Sequence, residues 1–96
     1  MGIVNELNKD FESRVRLGIM SVLYVNDLLE FKELKDILGL TDGNLSSHAN
    51  YLASKDYINI YKEFVKNKPR TTYSITKFGK KAFSDHVDQL AKLINK

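Results

Sequence analysis

The side chains with chemistry to offer are concentrated between Ser54 and Lys81, and what they offer is attraction to a polyanion. In that stretch Lys55, Lys62, Lys66, Lys68, Arg70, Lys77, Lys80 and Lys81 stand against only Asp56 and Glu63, eight bases against two acids. Residues 1–53 carry five bases against eight acids and residues 82–96 balance, so a modest net charge of +3 hides a polarised chain. A merely solvated surface would interleave its signs, whereas clustered bases suit a polyanionic partner. Just upstream, Gly43, Asn44, Ser46, Ser47, Asn50 and Ser54 add short polar groups of the kind that reach base edges or phosphates without bulk.

Other chemistries find less material. The chain has no cysteine, hence no disulfide framework and no thiolate metal site. His48 falls at the edge of a buried helical face and reads as a packing residue with a local hydrogen bond. His86 has Asp85 and Asp88 near it in sequence, but these do not both share its helical face and no second histidine completes a first shell, so no metal site is expected. There is no glycine-rich phosphate loop, no serine in a nucleophile setting and no carboxylate cluster, so the chain reads as a non-enzyme without a cofactor. No apolar run approaches the roughly 20 residues a bilayer requires, which predicts a soluble, cytoplasmic protein with no membrane partner.

These side chains need elements to position them. A chain of 96 residues suits one domain with one core, here 1–96. Phe11, Val15, Ile19, Val22 and Leu23 recur at helical spacing and predict a first helix from about Phe11 to Tyr24, with Asp10 as N-cap. Leu29–Phe31 reads as a brief extended stretch, followed by a second helix with Leu34, Ile37 and Leu38 inward. Gly39 supplies its C-terminal cap. A third helix from about Asp42 to Lys55, capped by Thr41 or Asp42, buries Leu45, Ala49 and Leu52. It turns Gly43, Ser47, Asn50 and Ser54 outward, with Asn44, Ser46 and Tyr51 on the flanks.

The period then changes. Tyr57–Val65 and Thr71–Ile75 are rich in β-branched and aromatic residues and predict a hairpin around the basic tip 66–70, with Pro69 in the loop because it cannot donate to a ladder. A last helix over about 76–95 carries Phe83, Val87, Leu90 and Ile94 at alternating three- and four-residue steps, with Leu93 beside them. A small core cannot cover so long a stripe, so a seam with a second copy is expected, joined by Ile3, Val4 and Leu7. The fold class is α+β, mainly α: a winged helix-turn-helix with a wing of two or three antiparallel strands at about 57–76 and a C-terminal dimerisation helix.

Several short motifs in one order, Asp42–His48, Tyr57-Ile58, Phe64-Val65, Lys68–Tyr73 and Ile75-Thr76 with Gly79, together with Arg16-Leu17, resemble the small winged-helix transcriptional regulators of the MarR and PadR types. The resemblance implies a homodimeric regulator that binds operator DNA and catalyses nothing. It places Asn44, Ser46, Ser47, Asn50 and Tyr51 on a recognition helix, Lys55 on its flank, and Lys66, Lys68 and Arg70 on the wing. Where many relatives carry arginine or lysine, this helix has Ser47, Asn50 and Tyr51, so bidentate reading of guanine is not expected; Asn50 could read adenine, and Tyr51 could touch a phosphate or a thymine methyl.

Two rivals belong to other classes. The same scaffold could bind a protein partner, with the basic hairpin a solvated edge. Alternatively Tyr57, Tyr61 or Tyr73 could stack on single-stranded bases, although Tyr57 and Tyr73 are better explained as hairpin packing. A cleft between the first and last helices of a dimer could hold a small hydrophobic effector, and the same residues also suffice as packing.

Overall fold

The computed structural model describes residues 2–95. Two 3-10 turns, Ile3–Glu6 and Lys9–Phe11, precede α1 (Arg14–Asn26). Then come β1 (Leu28–Glu30), α2 (Phe31–Leu38), α3 (Asp42–Ser54), the hairpin β2 (Ile58–Val65) and β3 (Lys68–Ile75), and α4 (Lys77–Ile94). The three strands form an antiparallel sheet in the order β1-β3-β2. This is a winged helix fold, as the order of sequence patterns predicts.

One core holds the elements together. Ile19, Met20 and Leu23 of α1, Leu34 of α2, Leu45, Ala49 and Leu52 of α3, Ile58 and Tyr73 of the hairpin, and Phe83 of α4 meet around Phe11 and Tyr57. The Phe11 ring lies 4.9 Å from Tyr57 and 5.9 Å from Phe83, centroid to centroid, so a single aromatic ties the N-terminal segment to the hairpin base and to α4. Gly79 permits the close seat of α4, because a Cβ there would collide with the Tyr57 carbonyl oxygen.

Helix ends follow their capping chemistry. The Gly39 backbone is left-handed (φ 66°) and closes α2, while the Thr41 hydroxyl accepts from the Asn44 N–H and opens α3. Lys35 and Asp42, 2.8 Å apart, bridge the turn between these helices, with the aspartate in the first turn of α3 where the helix dipole favours an anion.

Four expectations need correction. The first helix begins at Arg14 rather than Phe11, because Ser13 is the cap and the Asp10 carboxylate is engaged by two tyrosines instead. Ile37 is exposed, since Leu34 and Leu38 share the inward face with Phe31 and the eight-residue α2 leaves its next neighbour outside. Pro69 is not in the loop: Lys66 and Asn67 alone form the turn, both left-handed (φ 52° and 64°), the signature of a two-residue hairpin. Pro69 is tolerated in β3 opposite Phe64. In a two-residue hairpin that pair is not hydrogen-bonded across the ladder, and β1 ends before reaching it on the other side, so no donor is missed. Finally Phe83, expected on a dimer seam, is buried in this protomer's own core against Phe11 and Tyr24.

Candidate nucleic-acid interface

Strand alternation divides the hairpin into two faces. Ile58, Ile60, Lys62 and Phe64 of β2 pair with Ile75, Tyr73, Thr71 and Pro69 of β3, and this face turns toward the helices at its base, where Ile58 and Tyr73 are buried. The opposite face carries Asn59, Tyr61, Glu63 and Val65 against Ser74, Thr72, Arg70 and Lys68. Between α3 and the first face lies a cleft lined by Phe31, Ser46, Asn50, Ile60, Lys62, Thr71 and Tyr73. It therefore combines two polar side chains of the third helix with a lysine of the hairpin.

Asn44, Ser47 and Asn50 are exposed along α3 and Ser46 is partly covered at the cleft. Nothing lies within 4 Å of a Cβ placed on Gly43, so the start of the helix is open to a close approach. The inward residues Leu45, Ala49 and Leu52 are fully buried, which fixes the rotation of α3 and hence which polar groups face out.

The bases divide by face. Lys62 shares the cleft with Asn50. Lys66 lies in the turn, and Lys68 is exposed beside it on β3. Arg70 is on the far face, where its Nε lies 2.9 Å from a Glu30 carboxylate oxygen and 3.8 Å from one of Glu63. The guanidinium thus braces β1 against β2 across β3, so it is less free than the lysines to meet a phosphate. Charge alone does not separate Lys62 from the other bases of the hairpin; its place in the cleft follows from being two positions past Ile60, and the strand period of two is the signal that singles it out.

Tyr51 and Lys55 lie on another side of α3, against the N-terminal segment. The Tyr51 hydroxyl donates to one oxygen of the Asp10 carboxylate and the Tyr57 hydroxyl to the other, at 2.6 Å for the latter. The Arg16 guanidinium lies over the Tyr51 ring at 4.4 Å, donates to the Asp10 carbonyl and contacts His48 Nδ1 at 3.3 Å. The Lys55 amine is 5.8 Å from the same ring and is not among the residues lining the cleft.

The network continues away from α3: the Asn8 side chain donates to the Tyr57 hydroxyl, and the Asn8 N–H donates to Nδ1 of buried His86 on α4. Hydrogen bonds from Tyr51 and then Tyr57 hold the Asp10 pKa below its ordinary value, against the opposing effect of burial. Burial, followed by the bond to Asp10, raises that of Tyr57, and burial lowers that of His86. Sequence reasoning missed this network because its members are far apart in the chain and none forms a motif.

The far half of α4 is differently placed. Val87, Leu93 and Ile94 are exposed and Leu90 is half-buried, with the exposed Val4 in the 3-10 turn packed against this helix. The Ile3 side chain, expected on the same seam, lies outside the described residues. Among the described residues no three histidines, cysteines or carboxylates gather as a metal site, and no helix is long and apolar enough to cross a membrane.

Comparison with known proteins agrees with this architecture. A transcriptional regulator homologue from Pyrococcus horikoshii OT3 superposes with a TM-score of 0.90 at 32% identity, over 99% of this chain and 96% of that one. An uncharacterized protein of Methanocaldococcus jannaschii is 35% identical over 85 residues, covering 88% of this chain and 92% of its own. The structure of reduced AbfR bound to DNA shares the fold with a TM-score of 0.74 at 10% identity, over 94% of this chain and 62% of that one. The family model for the winged helix DNA-binding domain matches residues 15–94, and the chain belongs to that family.

Proposed function

We propose that this protein is a sequence-specific regulator that binds double-stranded DNA as a homodimer, with α3 in a major groove and the basic hairpin on the adjoining backbone. The observation that carries the reading is the cleft in which Ser46 and Asn50 of α3 meet Lys62 of the wing. A groove-bound helix with short polar groups would then have a cation beside it where the phosphates pass. Asn44, Ser46, Ser47 and Asn50 are the candidates for base contact. Lys62, Lys66 and Lys68 are the candidates for phosphate contact. Lys55 would serve only at the margin, and the Tyr51 hydroxyl acts through Asp10 to hold the helix in place.

Dimerisation rests on the far half of α4. Its 18 residues span about 27 Å, and the exposed Val87, Leu93 and Ile94 with half-buried Leu90 make a stripe that a second copy would cover. A two-fold axis there would present two copies of α3 to successive major grooves, about 34 to 36 Å apart. Leu90→Glu is expected to give monomers by light scattering; a variant that stays dimeric would remove this seam.

The deciding experiment is fluorescence anisotropy of the protein with a labelled duplex of mixed sequence at several salt concentrations. Binding that weakens steeply with salt is expected, with single-stranded DNA and RNA poor competitors. Absence of binding at low salt would overturn the reading in favour of a protein-interaction module.

A further inference from the structure

The tip of the wing carries a feature that phosphate attraction does not require. Phe64 is 77% exposed and faces Pro69 across the hairpin, with Val65 opposite Lys68 and the turn Lys66-Asn67 immediately beyond. Phe64 and Pro69 lie on the same hairpin face as Lys62 and Thr71, which line the cleft with α3. An aromatic ring and a proline held in water among lysines gain nothing from a phosphate and leave apolar surface uncovered.

We propose that Phe64 and Pro69 form an apolar wedge that enters the minor groove next to the major groove occupied by α3, and that this wedge gives the protein a preference for A·T-rich steps. The inference rests on the DNA-binding reading above and deepens it. The reach is sufficient: at ~3.4 Å per residue the strand runs about 20 Å from Ile60 in the cleft to Lys66 in the turn. Half a turn of duplex, the spacing from a major groove to the next minor groove, is about 17 Å. Lys62, two residues nearer the cleft, then falls where the intervening phosphates run, and Phe64 falls inside the groove.

The chemistry also fits. A minor groove has anionic rims and an apolar lining of sugars and base edges, and the tip matches it with Lys62, Lys66 and Lys68 around an apolar pair. Phenylalanine and proline are side chains that can lodge between base steps there. Guanine's 2-amino group obstructs the floor of a G·C groove, whereas A·T floors are clear and pyrimidine–purine steps such as TA unstack cheaply. A hairpin that only touched phosphates would have no such preference.

The test uses the full chain and duplexes of about 30 base pairs that differ only in a central block of A·T, G·C or inosine·cytosine pairs. An inosine·cytosine pair keeps the G·C pattern in the major groove but lacks the minor-groove amino group. The wild type is expected to bind the A·T and inosine·cytosine blocks alike, about tenfold tighter than the G·C block.

Phe64→Ala should erase that difference while keeping the salt dependence, and Lys68→Ala should weaken binding to all three duplexes equally. Because Phe64 is exposed, the variant is expected to fold, which its thermal melt verifies. Duplex binding in which inosine·cytosine behaves as G·C, or in which the preference survives Phe64→Ala, overturns the wedge and leaves the DNA-binding reading standing. No duplex binding at low salt overturns both.

Discussion

The two sides of α3 use similar residue types for opposite purposes. Toward the N-terminal segment, Tyr51, Asp10, Tyr57, Asn8, Arg16 and His86 satisfy one another, each hydroxyl and carboxylate oxygen having a partner within the protein. Toward the wing, Ser46, Asn50 and Lys62 share a cleft with no side-chain hydrogen bond or ion pair recorded among them, and Phe64 at the tip stands in water. A polar network whose hydroxyls and carboxylate are already paired with one another holds a helix in place, because its groups would be costly to separate. Polar and basic groups left unsaturated beside a rigid helix are available for binding. The contrast teaches that on this fold residue type is a weak guide to role, and the number of partners already taken is a better one.

The sharpest way to break the comparison is at the centre of the anchored side. Phe11→Ala removes the ring shared by Tyr57, Phe83 and His86 and is expected to cost about 3–5 kcal/mol of stability, read by denaturant unfolding. A variant near wild-type stability would show that the N-terminal segment is not an integral part of the core.

Asp10→Asn follows, at about 1–3 kcal/mol, because two tyrosine hydroxyls lose a charged acceptor. It also carries a pH signature. The folded Asp10 pKa lies below 3.8, so its contribution is present above that pH and is lost as pH falls through the folded value. The wild type should therefore show an acid limb that Asp10→Asn lacks. His86 adds a second slope of the same sign: burial holds its pKa below 6.5, so its contribution is complete above 6.5 and declines as pH falls from 6.5 toward the lower folded value. His86→Leu should flatten the dependence of stability on pH just below 6.5, and an unchanged slope there would show that the burial of His86 does not contribute to it.

On the open side the expected effects are on binding and not on stability. Lys62→Ala with Lys68→Ala should reduce the slope of log affinity against log salt by about 1.8, close to 0.9 for each lost phosphate contact, with an unchanged melting temperature. Smallest of all, Arg70→Ala should alter duplex affinity less than either lysine change, because its guanidinium is already held by Glu30 and Glu63. Equal effects at Arg70 and Lys68 would mean that these ion pairs open on DNA and that the two hairpin faces are not distinct in function.

Much of the scaffold could be read before any coordinates. The periodicity of Leu45, Ala49 and Leu52 set both the existence and the rotation of α3, and Gly39 with Thr41 marked the turn before it. The hairpin declared itself by composition. Its turn was misplaced by the plausible rule that proline ends a ladder; the rule failed because β1 is too short to pair with β3 at Pro69. The candidate site was legible as a set of residue types, yet its subdivision was not. Arg70 was indistinguishable from Lys68 until the strand faces and the position of Glu30 were known, and Tyr51 passed for a surface residue until Asp10 arrived from 41 positions away.

What the sequence determined by itself is the local part: helices, caps, strands, and a positive charge concentrated around the hairpin, all of which depend on near neighbours and on period. Only the tertiary structure decided which polar groups were already engaged. Engagement depends on pairs such as Asp10 with Tyr57, Asn8 with His86 and Arg70 with Glu30, which are brought together by burying a shared core around Phe11 and by the pairing of β1 with β3. No local rule encodes that convergence, because it is chosen by the packing of the whole chain.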